Sequence, residues 1–235
     1  MLDAFFSALS GLNVATRRME NSANNVANVQ TPGFKSGHVD SSDSGNGVVS
    51  SISKVNTGGS ILTTSSPIDI AIDGEGFLQV TLPDGGTGYT RAGNLKLDGG
   101  GRLVSSDGNP VVPEITVPGG STGLSIERGG TVSANVGGNT VALGQIQLAN
   151  FNNPSGLHAA GGNISLQTAA SGAPVTGNPG AGGLGRLIPN AVESSNVDIP
   201  AEMADQILAK LAFKANINVI KTASEMTGSL LNIKA

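Results

Sequence analysis

The sequence predicts an α+β protein with long helices at both ends and an antiparallel all-β body, sandwich- or barrel-like, between them. Three observations carry this. Residues 2–29 and 198–233 are the only long stretches with helical apolar spacing. Between them, short alternating apolar runs are separated by turn residues, as in sandwiches and barrels. Glycine supplies 35 of 235 residues, about twice the usual share, and charged residues supply only 13 %, about half of it. That composition suits tight turns, or a surface covered by neighbours.

The same totals exclude several functions. The net charge is −4 and no Lys/Arg cluster exists, so there is no electrostatic footprint for nucleic acid. The absence of Cys excludes disulfides and thiolate metal sites. Arg17 and Arg18 follow the first apolar stretch rather than precede it, so the start does not read as a cleaved signal peptide. No run approaches the ~20 apolar residues that span a bilayer, and membrane insertion is not expected.

In the first helix, Leu2, Phe5, Leu9, Leu12, Thr16, Met19, Ala23 and Val26 alternate in steps of three and four, a heptad seam broken by Thr16. Gly11 costs about 1 kcal/mol relative to Ala but permits close helix approach. Spacing alone leaves two readings open: packing on its own domain, or on another helix or subunit. Asn21, Asn24, Asn25 and Asn28 weaken the end of this helix, because Asn competes for backbone hydrogen bonds. They suit a role bonding neighbours or capping the following turn. Thr31-Pro32-Gly33 stops the helix.

Residues 31–66 are Ser/Gly/Thr-rich and read as an extended connector. Residues 67–196 read as the β-rich domain. Ile68, Ile70 and Ile72 alternate as a half-buried strand, and Phe77 to Leu82 as a strand covered on both faces. Asp73-Gly74-Glu75-Gly76, Pro83-Asp84-Gly85-Gly86, Asp98-Gly99-Gly100-Gly101 and Gly137-Gly138 are turns, where glycine permits φ > 0. Val141 to Phe151 is the longest later strand expected. Chemistry is scarce. The turn carboxylates lack the ligand spacing of a calcium loop. His38 and His158 stand in no catalytic motif, and no glycine pair leads into a phosphate-binding Lys-Ser or Lys-Thr. No enzyme activity and no cofactor are expected.

The last helix begins at Asp198, a plausible N-cap, with Pro200 in the first turn. Met203, Ile207, Leu211, Ala215 and Val219 form one row, widened by Ala204, Leu208 and Ala212 and continued by Ala223, Met226, Leu230 and Ile233. A helix of this length, about 50 Å, exceeds what a single small core needs and suits lateral packing in a helical array.

Several of these stretches resemble one family. Ser22-Ala23-Asn24-Asn25-Val26-Ala27-Asn28 with Thr31-Pro32-Gly33-Phe34-Lys35 is similar to the N-terminal signature of flagellar basal-body rod and hook proteins. Ile70 to Val80, Pro83-Asp84-Gly85 and Tyr89-Thr90-Arg91-Ala92-Gly93 resemble that family's central stretch, and Glu193-Ser194-Ser195-Asn196-Val197, Glu202-Met203 and Ala215 to Met226 its C-terminal one. The chain departs from the pattern at Lys210-Leu211-Ala212-Phe213-Lys214, at Asn190 in place of a usual glycine, and in a shorter connector.

The resemblance implies a structural, self-assembling subunit of the rod, most like its distal part, that transmits torque from motor to hook. It implies an antiparallel, coiled-coil-like pair formed by the terminal helices (residues 1–30 and 197–235), with the β domain outside. It places the assembly interface on Leu2, Phe5, Leu9, Leu12, Met19, Asn24, Asn25 and Asn28, and on Met203, Ile207, Leu211, Ala215, Val219, Met226 and Leu230. The implied partners are further copies in a helical polymer, other rod and hook proteins, and the P- and L-ring proteins as a bushing. The implied location is the periplasm-spanning rod, reached by flagellar export without signal cleavage. Two alternatives stand beside it: another axial subunit, proximal-rod or hook-like, or a secreted Gly-rich β domain that binds a cell-wall carbohydrate.

Overall fold

The computed structural model describes residues 2–45 and 47–233, with side chains described from 3 to 229 apart from residue 46. The described residues hold two α-helices, α1 (Leu2–Ala27) and α2 (Ile199–Ile233), with antiparallel strands between them. They form two compact units. One comprises Met1–Val29, Ser36–Val55 and Val197–Ala235; the other comprises Gln30–Lys35 and Asn56–Asn196.

In the helical unit, α1 and α2 run antiparallel. Ser22 Oγ donates to the Glu202 carbonyl at 3.0 Å and Asn25 Nδ2 to Glu202 Oε1 at 2.7 Å. Further along, α1 meets α2 at Gly11: a Cβ there would lie 2.7 Å from Asn216 Nδ2, so only glycine fits without displacing that side chain. As the sequence predicts, α2 starts after Asp198, whose Oδ1 accepts the Ala201 N–H. That bond satisfies one of the donors left open at a helix start.

The stretch expected to be an irregular connector is more ordered than its composition suggests. Strands β1 (Gly37–Asp43) and β2 (Val48–Lys54) form a hairpin, paired from Gly37↔Lys54 to Asp43↔Val48. Side chains of α1 hold it. Asn25 Nδ2 donates to the Gly37 carbonyl and Asn25 Oδ1 accepts the Gly37 N–H, at 2.9 and 2.8 Å. Asn21 Nδ2 donates to the same carbonyl, Arg17 to the Ser50 carbonyl, and the Val48 N–H donates to Ser10 Oγ. These partners lie far apart in the chain, so local composition does not reveal the hairpin.

The β unit is built on a six-stranded antiparallel sheet ordered His158–Gly161, Ile164–Leu166, Thr87–Thr90, Phe77–Thr81, Leu148–Asn150, Val175–Gly177. A three-stranded sheet, Asn139–Gln145, Thr131–Val136, Thr122–Ile126, and three two-stranded ribbons complete it. Phe77, Leu78, Gln79 and Val80 are all buried, as expected for a strand covered on both faces. Ile70, Ala71 and Ile72 are buried too, so this strand is covered on both faces rather than one. The expected strand from Val141 to Phe151 is broken. Asn139–Gln145 belongs to one sheet and Leu148–Asn150 to another, with Ile146 buried between them. The Gly137-Gly138 turn joins its two strands with φ of 61° and 89°, the primed turn geometry that matches strand twist. The core gathers Ile70, Leu78, Leu103, Val111, Ile115, Ile146, Leu148 and Leu187.

Candidate assembly interface

The α2 positions that are buried or half-buried are Glu202, Gln206, Ala209, Asn216, Ile220 and Ala223. Their spacing in threes, fours and sevens is heptad-like, and all but Ile220 are small or polar. On α1 the fully covered positions include Ala8, Ala15, Ser22 and Asn25. Small residues allow the helix backbones to approach closely. Of the large apolar side chains of α2, Ile220 lies in this seam, whereas Met203, Ile207, Leu208 and Leu211 lie off it. Met203 and Leu211 are 57 % exposed, and Ile207 and Leu208 60 %.

Of the residues named from sequence, Ile207, Met203, Leu211, Ala215, Val219 and Met226 form an exposed row on α2. Leu9, Met19 and Asn24 are exposed on α1, while Phe5 and Leu12 are half-buried. Asn25 does not face outward. It is buried, and its amide joins β1 and Glu202 of its own chain. Asn28 is half-buried and donates to the Asn24 carbonyl. The side chains of Leu2 and Leu230 lie outside the described residues. Phe6, which the sequence pattern does not single out, is exposed as well, and so are Val49 and Ile52 on the hairpin, apolar residues of the connector able to dock onto a partner.

A second feature lies inside the β unit. Glu193, 1 % exposed, accepts Lys35 Nζ at Oε1 and Arg91 Nε at Oε2, the latter at 2.9 Å. The Gly59 N–H also donates to Oε1, at 2.8 Å. Arg91 spends its remaining donors on the carbonyls of Gly74, Gly76 and Ile72. Burial works against charge on Glu193. Arg91, the Lys35 hydrogen bond and the Gly59 N–H outweigh it and hold the carboxyl below the usual carboxylate range. Backbone bonds reinforce the cluster: Gly33 N–H to the Glu193 carbonyl, and Asn196 N–H to that of Phe34. The segment that follows α1 in the chain and the one that precedes α2 are thus tied together. Each contributes one member of a buried ion triad. Lys35, Arg91 and Glu193 each stand in a different one of the resembling stretches, and the fold gathers them at one point.

Carboxylates in the turns serve the turns. Asp84 Oδ1 accepts the Gly86 N–H, and Asp98 Oδ1 accepts those of Gly100 and Arg102.

Three segments match profiles of one family. Residues 6–35 match the flagella basal body rod protein profile, residues 71–134 the flagellar hook protein FlgE/F/G D1 domain, and residues 188–233 the flagellar basal body rod FlgEFG protein C-terminal. The flagellar basal-body rod protein FlgG of Caulobacter vibrioides is 38 % identical, over 96 % of this chain and 97 % of the relative. The chain belongs to the flagellar basal-body rod and hook protein family. FlgG of Buchnera aphidicola subsp. Acyrthosiphon pisum is 36 % identical over 98 % of this chain and 99 % of its own, and FlgG of Bacillus subtilis 34 % over the full length of both. The hook protein FlgE of Caulobacter vibrioides is 32 % identical over 77 % of this chain, yet that match spans only 34 % of the hook protein. The family is one of structural proteins of the flagellum, not of enzymes. Lys35, Arg91 and Glu193 each fall inside one of the three matched segments.

Proposed function

We propose that this protein is a self-assembling structural subunit of the distal rod of the flagellar basal body. Copies polymerise through their terminal helices, which pair as an antiparallel coiled coil, into a helical tube that transmits torque from motor to hook. Other rod and hook proteins adjoin the tube, and the P- and L-ring proteins surround it as a bushing. The subunit reaches this periplasm-spanning position by flagellar export and is not cleaved on the way.

The observation that supports this reading is the outward row Met203, Ile207, Leu208 and Leu211 on α2. A stripe of large apolar side chains exposed along a helix marks an interaction surface. A tube follows when copies join by heterologous contacts that do not close into a ring. Near-complete coverage of FlgG relatives, against partial coverage of the hook relative, favours the rod over the hook. Electron microscopy of the purified protein after incubation at high concentration tests it. Straight tubes are expected. Curved tubes would indicate a hook-like subunit, and a protein that stays monomeric at all concentrations would refute self-assembly.

A further inference from the structure

On α1 and the hairpin, the helical unit carries a trough with its own chemistry. Two grooves, of about 550 and 650 Å³, share Ser10, Asn13 and Val48 and so run into one another. Together they extend along α1 from Asp3 to Glu20, a span of about 26 Å at helical rise. Phe6, Leu9, Val48 and Val49 give the trough an apolar lining and are themselves exposed. Asp3 and Glu20 put a carboxylate near each end.

The outer face of α2 is the complement. Met203, Ile207, Lys210, Leu211, Lys214 and Lys221 repeat in threes, fours and sevens and therefore share one face. Large apolar side chains and ammonium groups alternate there over about 27 Å, close to the trough's length. Among the described residues, none of Lys210, Lys214, Asp3 and Glu20 takes part in a salt bridge. The trough presents apolar surface, the carboxylates of Asp3 and Glu20, and the guanidinium of Arg17, which donates to the Ser50 carbonyl; the stripe presents apolar surface and positive charge.

We propose that the α2 stripe of one copy seats in the α1–hairpin trough of the next, with Lys210 and Lys214, one helical turn apart, beside one of the trough's two carboxylates. This rests on the self-assembly reading above and names the two surfaces that mate. Because trough and stripe are different surfaces, the contact is heterologous and propagates rather than closing on itself. The sequence departs from the family's usual pattern at Lys210-Leu211-Ala212-Phe213-Lys214, in the middle of this stripe.

The chain has no cysteine, so engineered thiols report without background. Full-length Ser7→Cys or Asn13→Cys, carrying a mass tag, is mixed with untagged Ile207→Cys or Leu211→Cys and polymerised. The polymer is then oxidised, and disulfide adducts are separated by mass. At least one of the four mixtures should give a tagged–untagged adduct, which is necessarily between copies. In parallel, Lys210→Glu/Lys214→Glu, which replaces attraction to the trough's carboxylates by repulsion, should raise the concentration needed for polymerisation about tenfold, and Asp3→Lys/Glu20→Lys should restore it. If tubes form but the mixtures give no such adduct, or only stripe-to-stripe adducts, the pairing is wrong while the rod reading stands. If the unmutated protein forms no tubes, the self-assembly reading fails, and the pairing with it.

Discussion

The two units of this chain bury opposite kinds of residue. In the β unit the largest apolar side chains point inward: Ile70, Leu78, Leu103, Leu148 and Leu187 have no exposed surface. In the helical unit the interior is mostly small or polar, with Ala8, Ala15, Ser22, Asn25, Ala209 and Ala223 beside Val14 and Val39, and the large side chains Met203, Ile207, Leu208 and Leu211 point out. Burying a leucine or isoleucine contributes about 1.5–3 kcal/mol. The β unit has realised that contribution within the chain, whereas the helical unit leaves these side chains exposed.

The comparison is broken most severely at Glu193. Glu193→Ala leaves Lys35 and Arg91 buried without their counter-charge and should cost about 4 kcal/mol of β-unit stability. Denaturant unfolding of the monomer measures this. Leu148→Ala should cost about 3 kcal/mol in the same assay, through lost burial and a cavity in a close-packed core. Ile207→Ser/Leu211→Ser should behave in the opposite way. Monomer stability should change by no more than about 0.5 kcal/mol per site, as for surface substitutions, while polymerisation, followed by sedimentation, is lost. If that double variant unfolds the monomer instead, the stripe is part of a core and the contrast between the units fails.

Acid sharpens the comparison further. Glu193 has a carboxyl held below its ordinary value in the folded protein. A depressed folded value gives stability that is present above the unfolded carboxylate value, about 4.3, and lost as pH falls through the folded one. Unfolding of the β unit should therefore be insensitive to this group above about pH 5 and ease steadily below about pH 4. Glu193→Gln should flatten that acid dependence while lowering stability throughout. The smallest effect is expected at Asn190, which holds a left-handed backbone with φ of 56°. Asn190→Ala should cost about 1 kcal/mol, since alanine tolerates that region less well than asparagine. The same φ explains how this chain manages with asparagine where the family usually has glycine.

Periodicity and turn chemistry made the outline legible. Both helices, the α2 cap at Asp198 and the Pro83–Gly86 and Gly137-Gly138 turns follow from local rules that the fold obeys. The apolar row on α2 was visible as well, because it repeats along one face. The face that α2 turns to α1 was harder to see. Its residues, from Glu202 to Ala223, are small or polar apart from Ile220, and a hydrophobic pattern hardly registers them. The hairpin on α1 and the Glu193 triad were hidden for another reason: each is made by partners distant in sequence, Asn25 with Gly37 and Lys35 with Glu193. The break at Ile146 was missed because a continuous apolar run looks the same whether it serves one sheet or two.

The contrast between the units is tested most directly by hydrogen exchange on the monomer and on the polymer. α2, from Met203 to Met226, and α1 should exchange readily in the monomer and become strongly protected in the polymer, while the β unit should be equally protected in both. Strong protection of α1 and α2 already in the monomer, unchanged on polymerisation, would contradict that contrast.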